Sequence, residues 1–141
     1  MNKGKRGTIL IENVVFIILN LLFLSVLVLF LVNQGSGAIV LEQTYAKQIA
    51  MLVDSAQPLM LIKIDMAKGK KLAEKNGIDF NNVVSIDGNI VTVKLSEGKG
   101  YTYAFFNDVD VSAYADKNDK GDYTGLYILT INKKEEVTAN E

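Results

Sequence analysis

Glu12 is the residue whose surroundings most demand a chemical reason. It stands directly before residues 13–32, NVVFIILNLLFLSVLVLFLV, a run of twenty residues without a charge. An ionised carboxylate at the edge of such a run is costly unless a cation pairs with it or it reaches water. Other acids cluster late in the chain. Asp108 and Asp110 form a pair that acid–base chemistry would use only with a raised pKa, and nothing in their polar neighbourhood supplies one. The stretch Asp116-Lys117-Asn118-Asp119-Lys120-Gly121-Asp122 resembles the opening of a calcium loop, with Asp116, Asn118 and Asp122 as weak candidate ligands. Lys120 occupies a ligand position and Tyr127 stands where a bidentate Glu is required, so a solvated turn is the plainer expectation. The chain has no Cys and no His. That excludes disulfides, the usual zinc sites, thiol nucleophiles and a Ser-His-Asp triad, and no enzyme activity or cofactor is expected.

The elements that position these groups follow from hydropathy. The chain has 141 residues, 49% of them hydrophobic, and a net charge of -1. That charge conceals a split, because Lys3, Lys5 and Arg6 stand in residues 1–7 without an acid and leave the remainder mildly acidic. A basic leader on an acidic body argues for a membrane topology and against nucleic acid. Residues 13–32 as a helix reach about 30 Å, the thickness of a bilayer's hydrocarbon core. The rest of the chain is too small to enclose such a helix on all sides. A cleaved secretory signal would be shorter and would end at a small-residue site, not at Val32-Asn33-Gln34-Gly35. The positive-inside rule puts the N-terminus in the cytoplasm and the body outside.

Lys5-Arg6-Gly7-Thr8-Ile9-Leu10-Ile11-Glu12 running into twenty apolar residues resembles the class III signal of type IV pilins and pseudopilins. The resemblance implies cleavage by a membrane prepilin peptidase after Gly7, a mature N-terminus at Thr8, and Glu12 as the fifth mature residue. It also implies like subunits in a filament, and pilus assembly machinery, as partners. Bacterial pilins usually carry Phe where this chain has Thr8, and an archaeal or divergent pilin-like protein fits that departure. The physical content is a pairing: Glu12 lies about 6 Å deeper than Thr8 along a helix, so one subunit's carboxylate neutralises its neighbour's new α-ammonium only when the helices are in register. The competing expectation is an uncut single-pass anchor that presents a small binding domain, with Glu12 snorkelling to the headgroups.

Past the span, Gly35-Ser36-Gly37 predicts a bend or hinge. Ala38, Leu41, Tyr45, Ile49, Leu52 and Ala56 then recur at helical spacing, and Pro58 stops the helix. Residues 59–64 suit a strand, and Asp65 caps a helix over 66–76 closed by Gly77. Residues 83–86 and 90–95 around Asp87-Gly88-Asn89 predict a hairpin with Val91, Val93 and Leu95 on one face. Tyr101, Tyr103 and Phe105 share a strand face better suited to a core or an interface than to base stacking. Residues 108–124 read as a long acidic loop, and 126–131 as a last strand. Lys68, Lys70, Lys71 and Lys75 mark a solvated helix face. The expected fold is α+β: a membrane-spanning N-terminal helix continuing into an amphipathic helix packed on a small antiparallel sheet. The divisions are a leader at 1–7, a span at 8–34, an amphipathic helix at 38–57, a head at 58–132 and a polar tail at 133–141. The mature protein is expected in the membrane, its head extracytoplasmic, and then in an extracellular filament.

Overall fold

The computed structural model describes residues 3–34 and 37–135. It divides into two compact units, Met1–Ser36 and Gly37–Glu141. The first is a single helix, α1 (Lys3–Gln34). Within it, Gly7–Leu31 is long and apolar enough to cross a membrane, and every residue of that stretch is exposed. Two of its uncharged polar side chains beyond Glu12 bond back to the helix. Asn20 donates to the Phe16 carbonyl at 3.0 Å and Ser25 to the Leu21 carbonyl at 2.8 Å. Such i−4 bonds let polar residues sit in lipid without an unsatisfied group.

The second unit begins with α2 (Ala38–Ser55), entered through Gly37 at φ 62. That left-handed residue separates the two helices, as the glycines predict; Gly35 and Ser36 lie outside the described residues. α2 stops at Ser55, two residues short of the expected end at 57, because Ala56 is already extended ahead of Pro58. Ala38, Glu42, Tyr45, Ala46, Ile49, Ala50 and Val53 are its buried residues. Leu41 and Leu52, assigned to the core face from spacing, are only half-buried on its shoulder.

The expected single sheet is two three-stranded antiparallel sheets. β1 (Leu61–Asp65), β5 (Val109–Lys117) and β6 (Tyr123–Lys133) form one, in the order β1-β6-β5. β2 (Val84–Asp87), β3 (Ile90–Val93) and β4 (Tyr101–Ala104) form the other as a meander. α2 packs on β3 and β4, whereas α3 (Ala67–Lys75) packs on β6. The N-cap of α3 is Met66, one residue later than the expected cap at Asp65, whose Oδ1 accepts from the Ala67 N–H at 2.9 Å and so still serves the helix start. Gly69 interrupts that short helix for a packing reason. A Cβ there would lie 3.0 Å from Cε2 of Tyr45, so a side chain would force the Tyr45 ring to shift by a few tenths of an ångström.

The hairpin forms with Asp87 opposite Ile90 across the two-residue turn Gly88-Asn89. Val91, Val93 and Leu95 are fully buried on one face, as alternation predicts. β4 is shorter than the aromatic run that predicts it. It ends at Ala104, with Tyr103 39% exposed and Phe105 buried just beyond the strand.

The acidic loop expected over 108–124 is the main correction. Residues 109–117 are a nine-residue strand, and only 118–122 turn the chain. Val109, Val111 and Ala115 are buried while Asp110, Ser112 and Tyr114 face outward. The density of acids that reads as a loop is the wet face of a half-buried strand. β6 is correspondingly longer than expected, and its Tyr127, Leu129 and Ile131 are fully buried. The tail expected from 133 begins inside that strand; residues 136–141 lie outside the description.

Candidate functional site

Gly7, Thr8 and Glu12 all lie on α1. Thr8 and Glu12 are four apart, hence on one face a turn from each other, about 6 Å in rise. A Cβ built on Gly7 meets nothing within 4 Å. The chain's own packing therefore gives no reason for glycine at this point, although glycine weakens a helix by about 1 kcal/mol relative to alanine. Glu12 is exposed on the helix, and no hydrogen bond or ion pair satisfies it among the described residues. It differs in this from Asn20 and Ser25, both of which bond to their own backbone.

In the second unit, three polar side chains hold α2 against the sheet. Glu42, 4% exposed, is the buried charged residue of the described core. Its Oε1 accepts from the Leu95 N–H at 2.7 Å, from the Ser96 N–H at 3.1 Å and from the Ser96 hydroxyl at 3.1 Å. These are the groups left without ladder partners where β3 ends, so the carboxylate replaces a strand. At the other end of the helix, Asp54 Oδ1 accepts from the N–H groups of Phe106 and Asn107 at 2.6 and 3.0 Å. The Asn107 amide returns the favour, donating to the carbonyls of Val53 and Ala56 at 2.8 Å each. It thereby satisfies carbonyls that a helix C-terminus leaves open. Sequence reasoning passes over all three residues, because their partners are more than fifty positions away.

A second network closes the core beneath α3. The Tyr127 hydroxyl donates toward the Asn81 carbonyl at 2.7 Å, with the Phe80 carbonyl also in reach at 3.1 Å, and accepts from the Val84 N–H at 3.3 Å. Burial pushes its pKa up from 10.0 to about 12. The rings of Tyr127 and Tyr123 meet Phe80 edge-on, at 5.3 and 5.6 Å between centroids. Tyr123 donates to Asp79 Oδ1 at 2.6 Å, and that bond holds Asp79 below the usual carboxylate range and raises the phenol. Lys117 lies 4.8 Å above the Tyr123 ring. The arrangement is structural glue at the surface and in the core.

The calcium candidates fold into a self-contained turn. Asn118 Oδ1 accepts from the N–H groups of Lys120 and Asp122 at 3.0 and 2.9 Å, and Asp116 Oδ2 accepts from the Thr124 hydroxyl at 2.9 Å. Among the described residues no group of three or more His, Cys, Asp or Glu is placed to hold a metal ion. The Asp108 carboxylate takes the Lys134 ammonium at 2.8 Å, an exposed pair that raises the lysine pKa. Lys68, Lys71 and Lys75 are solvated, as expected; Lys70 is half-buried, 3.6 Å from Glu74.

One cleft of about 650 Å³ opens at the end of the head where the β2–β3 turn, residues 105–110 and the end of β6 meet. Asn89, Asn107, Asn132, Asp108 and Asp110 line it together with Phe106, whose ring is 87% exposed. The only hint in the sequence is the doubled Phe105-Phe106, of which strand alternation can bury one. Against protein-family models, curated proteins and solved structures, the chain shows no match.

Proposed function

We propose that this protein is a structural subunit of a type IV pilus-like or pseudopilus filament, cut by a prepilin peptidase after Gly7 and assembled through α1. The observation that carries the reading is the pairing of a glycine with no packing neighbour at position 7 with a carboxylate at position 12 that has no hydrogen-bond or ion-pair partner, both among the described residues, on a span whose described residues are all exposed. Cleavage would create an α-ammonium at Thr8, one helical turn from Glu12 of the same helix and within reach of Glu12 on an adjacent one. Helices bundled in register would then neutralise each buried charge, and the pairing would select the register.

The bundle itself gains little hydrophobic energy, because lipid tails already cover the apolar side chains. Packing and the charge pairs have to hold it instead. Beyond the span, Ile39, Val40 and Met51 of α2 are largely exposed, and in this reading they extend the contact between neighbouring subunits. The basic leader keeps the N-terminus cytoplasmic, so the second unit is extracytoplasmic and reaches the outside with the filament.

The test is intact mass and N-terminal sequencing of protein recovered from membranes of cells that carry a prepilin peptidase. A mature start at Thr8, lost in Gly7→Leu, supports the reading. A start at Met1 or Asn2 in the unaltered protein overturns it in favour of an uncut single-pass anchor.

A further inference from the structure

We propose that the cleft at the end of the head binds a neutral saccharide. The site belongs to the second unit alone, so it stands or falls independently of leader cleavage and filament assembly.

The chemistry of the lining selects the ligand class. A sugar ring presents an apolar face of C–H groups and a rim of hydroxyls, and it is recognised by an aromatic plate flanked by amides and carboxylates. Phe106 supplies the plate. It is 87% exposed, yet its backbone N–H is held by Asp54 at 2.6 Å, so the ring is displayed from a fixed backbone. Burying that ring would stabilise the head, and the fold instead buries its neighbour Phe105 completely.

The polar groups combine acceptors with donors, for Glu135 and the ammonium groups of Lys133 and Lys134 join the amides and the two Asp residues, and several of them are oriented in advance. Asn107 spends its amide donors on Val53 and Ala56, which leaves its Oδ1 as the group to offer. Asn89 donates its amide to the Phe105 carbonyl at 3.2 Å and likewise retains an oxygen. Asp108 Oδ1 is held by Lys134 at 2.8 Å. Asp110 and Asn132 are register partners across β5 and β6, and no side-chain bond engages either of them among the described residues. A lining that mixes acceptors and donors suits a ligand whose hydroxyls both donate and accept. The volume of about 650 Å³ lies within the ordinary range of small-molecule sites.

The same lining disfavours other occupants. The ammonium groups of Lys133 and Lys134 are offset by Asp108, Asp110 and Glu135, so the lining has no net positive charge to select a phosphate; the polar walls give a lipid tail nothing to bury against, and no metal-holding cluster is present among the described residues.

The experiment is saturation-transfer NMR on the full-length protein in lipid nanodiscs prepared without glycoside detergents. The probes are glucose, galactose, mannose, N-acetylglucosamine, cellobiose and lactose at millimolar concentration. The expected result is transfer to at least one sugar, strongest at its C–H protons, weakened about tenfold in Phe106→Ala and retained in Phe106→Tyr. Asp110→Ala, an exposed change, is expected to weaken it as well, with the circular dichroism spectra of all variants unchanged. Absence of transfer to every sugar, or undiminished transfer in Phe106→Ala, overturns the proposal.

Discussion

Replacing Glu42 by alanine is expected to be the most damaging single change on α2. The carboxylate is 4% exposed and accepts three hydrogen bonds through one oxygen, the shortest of them 2.7 Å from the buried Leu95 N–H. Truncation strands that N–H away from water and releases Ser96, whose hydroxyl and N–H both point at the same oxygen. An orphaned buried donor costs ~1–3 kcal/mol and bonds to a charged acceptor contribute more than neutral ones, so the loss should total about 3 kcal/mol. For a domain of this size that corresponds to a fall in melting temperature of roughly 10–20 °C. Glu42→Gln keeps the accepting oxygen and forfeits the charge, and its loss should stay near 1 kcal/mol, or ~5 °C. The assay is thermal unfolding of the full-length protein in detergent, followed by near-UV circular dichroism of the tyrosines. Hydrogen exchange at the Leu95 and Ser96 amides provides the local readout. An alanine variant that melts within a degree or two of the parent, or a glutamine variant as damaged as alanine, would refute the reasoning.

Three further outcomes are expected. Glu12→Ala should insert into membranes normally and fail to polymerise; normal filaments by electron microscopy would count against the charge pairing. Tyr127, with its pKa raised from 10.0 to about 12, favours the folded state fully below pH 10 and loses that contribution as pH rises toward 12. Tyr127→Phe should therefore flatten the alkaline limb of an unfolding-versus-pH curve, besides costing ~1–2 kcal/mol at neutral pH for the stranded Val84 N–H. Leu59 sits at φ 72 with its side chain 89% exposed, so it bears left-handed strain without burial to offset it. Leu59→Gly should raise stability by up to about 1 kcal/mol in urea titrations, and a clear loss would mean that the side chain has a packing role.

The features legible in the sequence are those written in local spacing. The apolar run of residues 13–32 lies within α1, and all of it but Val32 falls in the candidate span Gly7–Leu31. The Asp87-Gly88-Asn89 signal forms its hairpin at the expected place, and Asp65 serves the start of α3. Composition misleads where one residue type serves two settings. Asp108, Asp110 and Asp116 read together as a solvated loop, yet Val109, Val111 and Ala115 between them are buried, and the alternation makes a strand. The helical spacing of α2 identifies Ala38, Tyr45 and Ile49 correctly as buried. It misplaces Leu41 and Leu52 because the buried stripe is centred on Ala46 and Ala50, whose small size admits the sheet.

What the sequence determines by itself is one long apolar helix, a glycine and a carboxylate set five residues apart at its start, and an α+β remainder without Cys or His chemistry. Those properties depend on neighbours within a turn or two, so they survive without knowledge of the fold. Only the tertiary structure decides that β1 pairs with β6 across more than sixty residues, that Glu42 closes the end of β3, and that Asn107 caps α2. It likewise decides that Phe106 stands exposed over a polar cleft while Phe105 is buried. In each case a side chain or strand edge must satisfy a group far away along the chain. Which distant group that is depends on how the layers stack, and local periodicity carries no record of it.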